Sequence, residues 1–239
     1  MSSSESAIRV FDVLTDTEEV FHDEDSAVEY VVKWLREGVV FVLPTDTVYG
    51  VACSAKIDSS IEGIFDLKGR ELSKSLPVLV SGLEMIDVHF GPLDADERTR
   101  LEAVASKLWP GALTVVVSSS RFLPKGIQRG DASVAFRSPG ESFSRLVGRY
   151  VPLACTSANR SGETPVTTYA QAIALLQDES IKKVLTHVRT LVIGDARPMA
   201  EQASTLVDLR HKTPRILREG PISHEEIVDA LGGSVRIGS

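Results

Sequence analysis

Short apolar runs of strand length alternate along almost the whole chain with stretches of helical periodicity, and no long Pro-, Gly- or Ser-rich linker separates them. The runs are Val39-Val40-Phe41-Val42, Pro77-Val78-Leu79-Val80, Leu113-Thr114-Val115-Val116-Val117, Ser133-Val134-Ala135-Phe136, Pro152-Leu153-Ala154-Cys155, Thr190-Leu191-Val192-Ile193, Ser204-Thr205-Leu206-Val207 and Arg215-Ile216-Leu217. Helical patterns fill Asp94 to Trp109, Glu141 to Arg149, Thr168 to Gln177 and Ser223 to Leu231, and an earlier one runs from Ser26 until Gly38 stops it. Such interleaving predicts one α/β domain. Several neighbouring strands stand too close in sequence for helical crossovers, so a purely parallel sheet is excluded. The expected fold is a strongly twisted mixed sheet, parallel and antiparallel, flanked by helices around a concave cleft. Residues 1–25 are expected to form a partly flexible N-terminal segment, 26–232 the domain and 233–239 a tail.

With 239 residues the chain admits one large domain or two small ones, and the missing linker and absence of an internal repeat favour one. No run approaches the roughly 18 apolar residues of a membrane span. The N-terminus lacks a basic stretch followed by an apolar one, so the expected location is the cytoplasm, with no membrane partner. A net charge of −7 argues against a surface that grips nucleic acid everywhere, but is compatible with a local basic pocket. The spacing of Cys53 and Cys155 fits no zinc or redox motif, so both read as buried thiols. No protein metal site is expected.

Three capping boxes are legible: Ser26-x-x-Glu29, Ser59-x-x-Glu62 and Ser223-x-x-Glu226. In each the hydroxyl would take an orphan amide at a helix start while the carboxylate reaches back.

More informative are the polar clusters that end apolar strands, because ligands in open α/β sheets gather at strand ends. In Leu43-Pro44-Thr45-Asp46-Thr47-Val48-Tyr49-Gly50, Asp46 bonding its own backbone in a turn is a sufficient reading. Lys68, Arg70 and Lys74 sit at and beyond a helix C-terminus, where cations complement the dipole without any ligand. The stretch from Leu108 to Thr114 reads mostly as punctuation. Arg137 directly follows a buried-looking strand and there needs a partner or an anion. The run from Cys155 to Gly162 offers hydroxyls and an amide, either for a turn or for a ligand. Ser204 and Arg218 add another hydroxyl and another cation.

In this order the clusters resemble the YrdC/Sua5 family of L-threonylcarbamoyladenylate synthases. The shared features are PTDTVYG, KGR followed by Lys74, WPGALT, RSP after SVAF, TSANRSG, STLVD and LREG, together spanning about Gly38 to Leu231. The resemblance implies a YrdC-like fold and an ATP-dependent, pyrophosphate-releasing nucleotidyltransferase. Its substrates would be L-threonine, bicarbonate and ATP with Mg2+, and its product threonylcarbamoyl-AMP, destined for threonylcarbamoyladenosine on tRNA. Hand-over to a tRNA threonylcarbamoyl transferase complex is implied, and tRNA binding by this chain is not required. By the same resemblance Thr47 contacts threonine and Arg137 its carboxylate. Lys68, Arg70 and Lys74 hold the ATP phosphates, with Lys68 and Arg70 also lowering the barrier electrostatically. Ser133, Ser157 and Asn159 face the nucleotide, while Ser204 and Arg218 close that side.

The sequence departs from the family's pattern at Leu79, where some members carry histidine, at Ala196, a common glycine, and at Glu219, usually proline. The extra C-terminal domain of the longer members is not present in this sequence. None of His22, His89, His187, His211 and His224 lies in a motif, and no protein nucleophile is expected. Two rivals stand beside this reading. One is an RNA-binding maturation factor that uses the same basic cleft, against which weigh the acidic net charge and only 6% aromatic residues. The other is the related carbamoyl-adenylate domain of hydrogenase maturation, which normally sits in a longer chain with zinc-finger motifs.

Overall fold

The computed structural model describes residues 7–69, 75–128, 130–160, 163–178, 181, 190–194 and 202–238. Twelve strands among them form one mixed sheet, as the spacing of the apolar runs predicts. In chain order they are β1 (Ile8–Asp12), β2 (Thr17–Phe21), β3 (Val40–Leu43), β4 (Gly50–Ser54), β5 (Val78–Leu79), β6 (Leu113–Ser118), β7 (Ser133–Arg137), β8 (Leu153–Ser157), β9 (Thr190–Gly194), β10 (Thr205–Asp208), β11 (Arg215–Arg218) and β12 (Arg236–Ile237). Their order across the sheet is β12-β11-β10-β6-β7-β5-β8-β4-β3-β9-β1-β2. The pairs β10/β6, β5/β7, β3/β9 and β11/β12 run parallel and the rest antiparallel.

The described helices are α1 (Glu24–Arg36), α2 (Asp58–Lys68), α3 (Leu83–Phe90), α4 (Ala95–Leu108), α5 (Ser142–Val147), α6 (Tyr169–Gln177) and α7 (His224–Leu231). Strand alternation divides them into two layers. Val40, Val42, Val51, Cys53, Val78, Val115, Phe136 and Val192 face one core with Ile64 and Phe65 of α2, Ile86 of α3, Leu101 and Val104 of α4, Leu176 of α6 and Ile227 of α7. Phe41, Leu43, Ala52, Leu79, Leu153, Leu191 and Ile193 face the other, against Val31 and Leu35 of α1 and Phe143 and Val147 of α5. That second layer draws on β1, β9, β3, β4, β5 and β8, and no residue of β6, β7, β10 or β11 belongs to it. The second face of those four strands is where the cleft lies.

Residues 8–21, placed by the sequence ahead of the domain, form a hairpin that joins the sheet through β1 and β9. Its β2 strand, TEEVF, is mostly exposed and polar, which hides it from an alternation test. Helix α3 carries no start signal in the sequence, since Gly82 stands at its N-cap and no side chain caps it.

Two of the three expected caps are corrected. Helix α1 starts earlier, with Asp23 accepting from the Ser26 amide, and α2 starts after Ile57 with no side-chain cap. The third is formed: Ser223 Oγ takes the Glu226 amide and Glu226 reaches back to the Ser223 amide at 2.8 Å. Ser223→Ala is expected to cost about 1 kcal/mol, read as a lowered urea midpoint with an unchanged slope. A midpoint equal to that of the parent would show that the box contributes nothing.

Candidate active site

On the face left open by the second helix layer, Ala135 and Arg137 of β7, Thr114 and Val116 of β6 and Leu206 of β10 point outward together. They line a cavity of about 260 Å³ with Thr45, Thr47, Ser75, Pro77, Leu79, Cys155, Thr156, Ser157, Ser204 and Arg218. Apolar side chains, hydroxyls and two guanidinium groups share its lining.

The turn between β3 and β4 builds one wall. Thr45, rather than Asp46, organises it: Thr45 Oγ1 donates to the Val48 carbonyl at 2.7 Å and accepts from the amides of Thr47 and Val48 at 3.2 and 3.3 Å. Asp46 is thereby left to reach across to Arg137 Nη2, at 2.6 Å. The turn role that the sequence suggested for Asp46 belongs to Thr45, because a threonine hydroxyl can donate and accept in one turn whereas a carboxylate only accepts. Gly50 closes the turn where a Cβ would stand 2.6 Å from Cys155 Sγ, so no side chain fits.

Arg137 ends β7 only 6% exposed. Its Nε donates to the Gly111 carbonyl at 3.0 Å, Nη1 to Thr47 Oγ1 at 2.9 Å and Nη2 to Asp46. The need for a partner read from the sequence is met inside the protein, and the WPGALT segment takes part through Gly111. The same segment supplies Thr114, whose hydroxyl shares a 2.7 Å hydrogen bond with Ser204. The sequence treated that stretch as punctuation, because alternation places Thr114 on the open face only once the neighbouring strand is known.

Lys68 is the last residue of α2 and 4% exposed. Its ammonium does not reach solvent beside the helix terminus, as a dipole-capping lysine would. It donates to the Ser157 carbonyl and to Asn159 Oδ1 at 3.1 Å, and lies 3.5 Å from Ser157 Oγ. Asn159 is fixed in turn by donating to the carbonyls of Arg160 and Glu163 at 2.6 and 2.7 Å. Ser157 lines the cavity, with Lys68 and Asn159 one layer behind it.

Across the cavity, Arg218 donates through Nε and Nη2 to the Ser204 carbonyl, at 3.0 and 2.7 Å. Gly220 packs so closely that a Cβ would sit 2.4 Å from the Thr205 amide nitrogen, so the LREG glycine is dictated by this strand contact. Glu219 is exposed. Burial pushes the Cys155 thiol up to about 12, outweighing the opposite pull of Arg137 and Lys68, so it lines the cavity as a neutral thiol.

Thr47, Arg137, Ser157, Ser204 and Arg218 therefore converge on one cavity, with Lys68 and Asn159 attached to its wall. Arg70, Lys74 and Ala196 lie outside the described residues, as does His187. Ser133 stands apart: it is fully buried at the opposite end of β7 from Arg137 and donates to Asp131 Oδ1 at 2.6 Å. Asp131 in turn accepts from Arg210 Nη1 at 2.6 Å, and Arg210 grips Asp208 through Nε and Nη2 at 2.9 and 2.7 Å.

Burial pushes the Asp131 carboxyl up, but the hydrogen bonds from Ser133 and Arg210 and the Arg210 charge outweigh it and hold it down at about 2, against an ordinary 3.8. Asp208 is lowered as well, its burial likewise outweighed by Arg210. Depressed folded-state values contribute stability that is complete above the unfolded value and lost as pH falls through the folded one. Acid titration followed by circular dichroism should thus show stability falling between about pH 4 and pH 2, and Arg210→Met should remove part of that dependence. An identical acid profile in the variant would contradict this account of the cluster.

A mixed α/β sheet with one half of a face uncovered, and a cavity there lined by hydroxyls and arginines, defines the class: an α/β protein with a polar, cationic cavity set in its sheet. Comparison with known proteins gives the family. The Sua5_yciO_yrdC family model, described as Telomere recombination, matches residues 33–220. A Mycobacterium tuberculosis protein is 35% identical over 202 residues, which cover 83% of this chain and 86% of its own. The threonylcarbamoyl-AMP synthase of Pyrococcus abyssi is 30% identical over 213 residues, 87% of this chain and 58% of its own. The crystal structure of P. abyssi Sua5 complexed with L-threonine superposes with a TM-score of 0.76 at 26% identity, covering 90% of this chain and 59% of that one. This chain thus spans under two thirds of the archaeal protein's length. The chain belongs to the Sua5/YciO/YrdC family.

Proposed function

We propose that this protein is an L-threonylcarbamoyladenylate synthase. The observation that carries the reading is the convergence of Thr47, Arg137, Ser157, Ser204 and Arg218, from five separate segments, on one cavity of the open sheet face. Support comes from relatives that bear the name threonylcarbamoyl-AMP synthase over most of this chain.

In this reading threonine occupies the Thr47–Arg137 corner, its carboxylate on Arg137. The nucleotide lies toward Ser204 and Arg218, and the phosphates lie near Lys68, with Arg70 and Lys74 as further phosphate ligands. The threonine amine and bicarbonate give a carbamate and water. A carbamate oxygen then attacks the α-phosphorus of ATP, the bond to the β-phosphate oxygen breaks, and pyrophosphate leaves. Magnesium enters with ATP, held by phosphate oxygens and water. Because the carbamate is already anionic, the step asks for positioning and charge neutralisation rather than a protein nucleophile.

The rival RNA-binding reading rests on the same cations. Lys68 and Arg137 are buried and hydrogen-bonded within the fold, so they do not form an extended outer surface for an RNA backbone. The test is pyrophosphate release from ATP and magnesium, with and without L-threonine and bicarbonate. Release that requires both supports the synthase. Release that ignores threonine overturns it.

A further inference from the structure

The hydrogen bonds around Thr47 have a fixed direction. Thr45 Oγ1 stands 2.7 Å from the Val48 carbonyl, which can only accept, so the single Thr45 hydroxyl proton is committed there. In the 2.9 Å contact between the two threonine hydroxyls Thr47 is therefore the donor, sharing the two Thr45 lone pairs with the longer amide contacts at 3.2 and 3.3 Å. With its own proton turned to Thr45 and one lone pair taken by Arg137 Nη1, Thr47 Oγ1 has only acceptor capacity left for the cavity. Beside it, Arg137 spends Nε on Gly111 and one N–H of each Nη on Thr47 and Asp46, so what it has left is donor capacity. An acceptor and a pair of donors thus stand side by side.

The charge at this corner is balanced too. The Arg137–Asp46 pair, at 2.6 Å with side chains 7% and 22% exposed, cancels the Arg137 charge there, with the Lys68 ammonium set back behind Ser157. A carboxylate or phosphate alone would meet a guanidinium already countered by Asp46. A zwitterion meets both needs at once, with an ammonium N–H on Thr47 and a carboxylate on Arg137. We infer that Asp46 is a positioning and specificity residue. It orients Arg137 and, by cancelling its charge, makes the corner select an α-amino acid zwitterion over a simple anion, while Thr45 locks Thr47 as the acceptor. This inference rests on the synthase reading.

The experiment measures KM for threonine and for ATP separately in the parent protein, Asp46→Asn, Asp46→Ala and the Asp46→Asn/Arg137→Ala double variant. It also measures inhibition by 3-hydroxybutyrate, which keeps the carboxylate and hydroxyl of threonine but lacks the amine. Asp46→Asn, the conservative variant that keeps the side-chain volume, is expected to raise KM for threonine about 10- to 100-fold, since charge-assisted hydrogen bonds carry roughly twice the strength of neutral ones. KM for ATP should stay within about threefold, and 3-hydroxybutyrate should compete better relative to threonine than it does in the parent protein. In the Arg137→Ala background Asp46→Asn should add little, because it acts through that guanidinium. Asp46→Ala should show the same split more strongly.

Equal rises in both KM values, an unchanged preference for threonine over 3-hydroxybutyrate, or full additivity with Arg137→Ala would overturn the inference while leaving an active synthase. A parent protein that does not turn over threonine would remove the synthase reading, and this inference with it.

Discussion

Arg137→Ala should lower threonine-dependent turnover at low threonine by two orders of magnitude or more, with most of the loss in the apparent affinity for threonine. Two remaining donors on a charged group are removed from the cavity, and hydrogen bonds to charged groups contribute about 1.5 to 3 kcal/mol each. The fold should suffer as well, because Gly111, Thr47 and Asp46 each lose the guanidinium. Breaking a fully buried ion pair costs about 3 to 5 kcal/mol. Asp46, with its side chain 22% exposed, can turn to water, so a loss of about 2 kcal/mol is the better expectation. Urea denaturation gives the stability change, and kinetics at saturating ATP gives the affinity change. A variant weakened for ATP but normal for threonine would reverse the assignment of this corner.

Lys68→Met should reduce turnover by about 100- to 1,000-fold, the range seen when one preorganised donor is taken from a charge-stabilising site. Methionine fills similar space in the α2 terminus but leaves the Ser157 carbonyl and Asn159 Oδ1 without their charged donor. The stability cost should be about 1 to 3 kcal/mol, moderate for a residue only 4% exposed. Threonine binding, measured by calorimetry without ATP, should survive, since Lys68 touches neither Thr47 nor Arg137. The two variants would then divide the cavity between its two substrates. Activity that fell only in proportion to the folded fraction would make Lys68 a structural residue.

Much of this arrangement could be read from residue order, and the exceptions have physical causes. The apolar runs marked the central strands, since residues buried on both faces read as continuous hydrophobic segments. Strand β2 and the two-residue β12 escaped because exposed edge strands carry little such signal. The seven polar clusters identified the segments that meet at the cavity, but not the bonds between them. That Asp46 pairs with Arg137, 91 positions away, depends on which strands become neighbours. That Lys68 turns inward to Ser157 and Asn159 likewise required the β8 end to lie beside the α2 terminus, whereas charge alone favoured a solvated helix end. Conversely, Ser133 looked equivalent to its neighbours in the SVAFR run, yet its strand end belongs to the Asp131–Arg210–Asp208 cluster.

The central claim is that one cavity joins threonine, bicarbonate and ATP, and isotope tracing tests it most directly. Purified protein would be incubated with L-threonine, carbon-13 bicarbonate, ATP and magnesium, and the adenylate product identified by mass spectrometry. The expected result is threonylcarbamoyl-AMP carrying the bicarbonate carbon, formed in step with pyrophosphate and absent when threonine is omitted. Pyrophosphate accompanied by an adenylate without that carbon, or no adenylate from folded protein, would contradict the account.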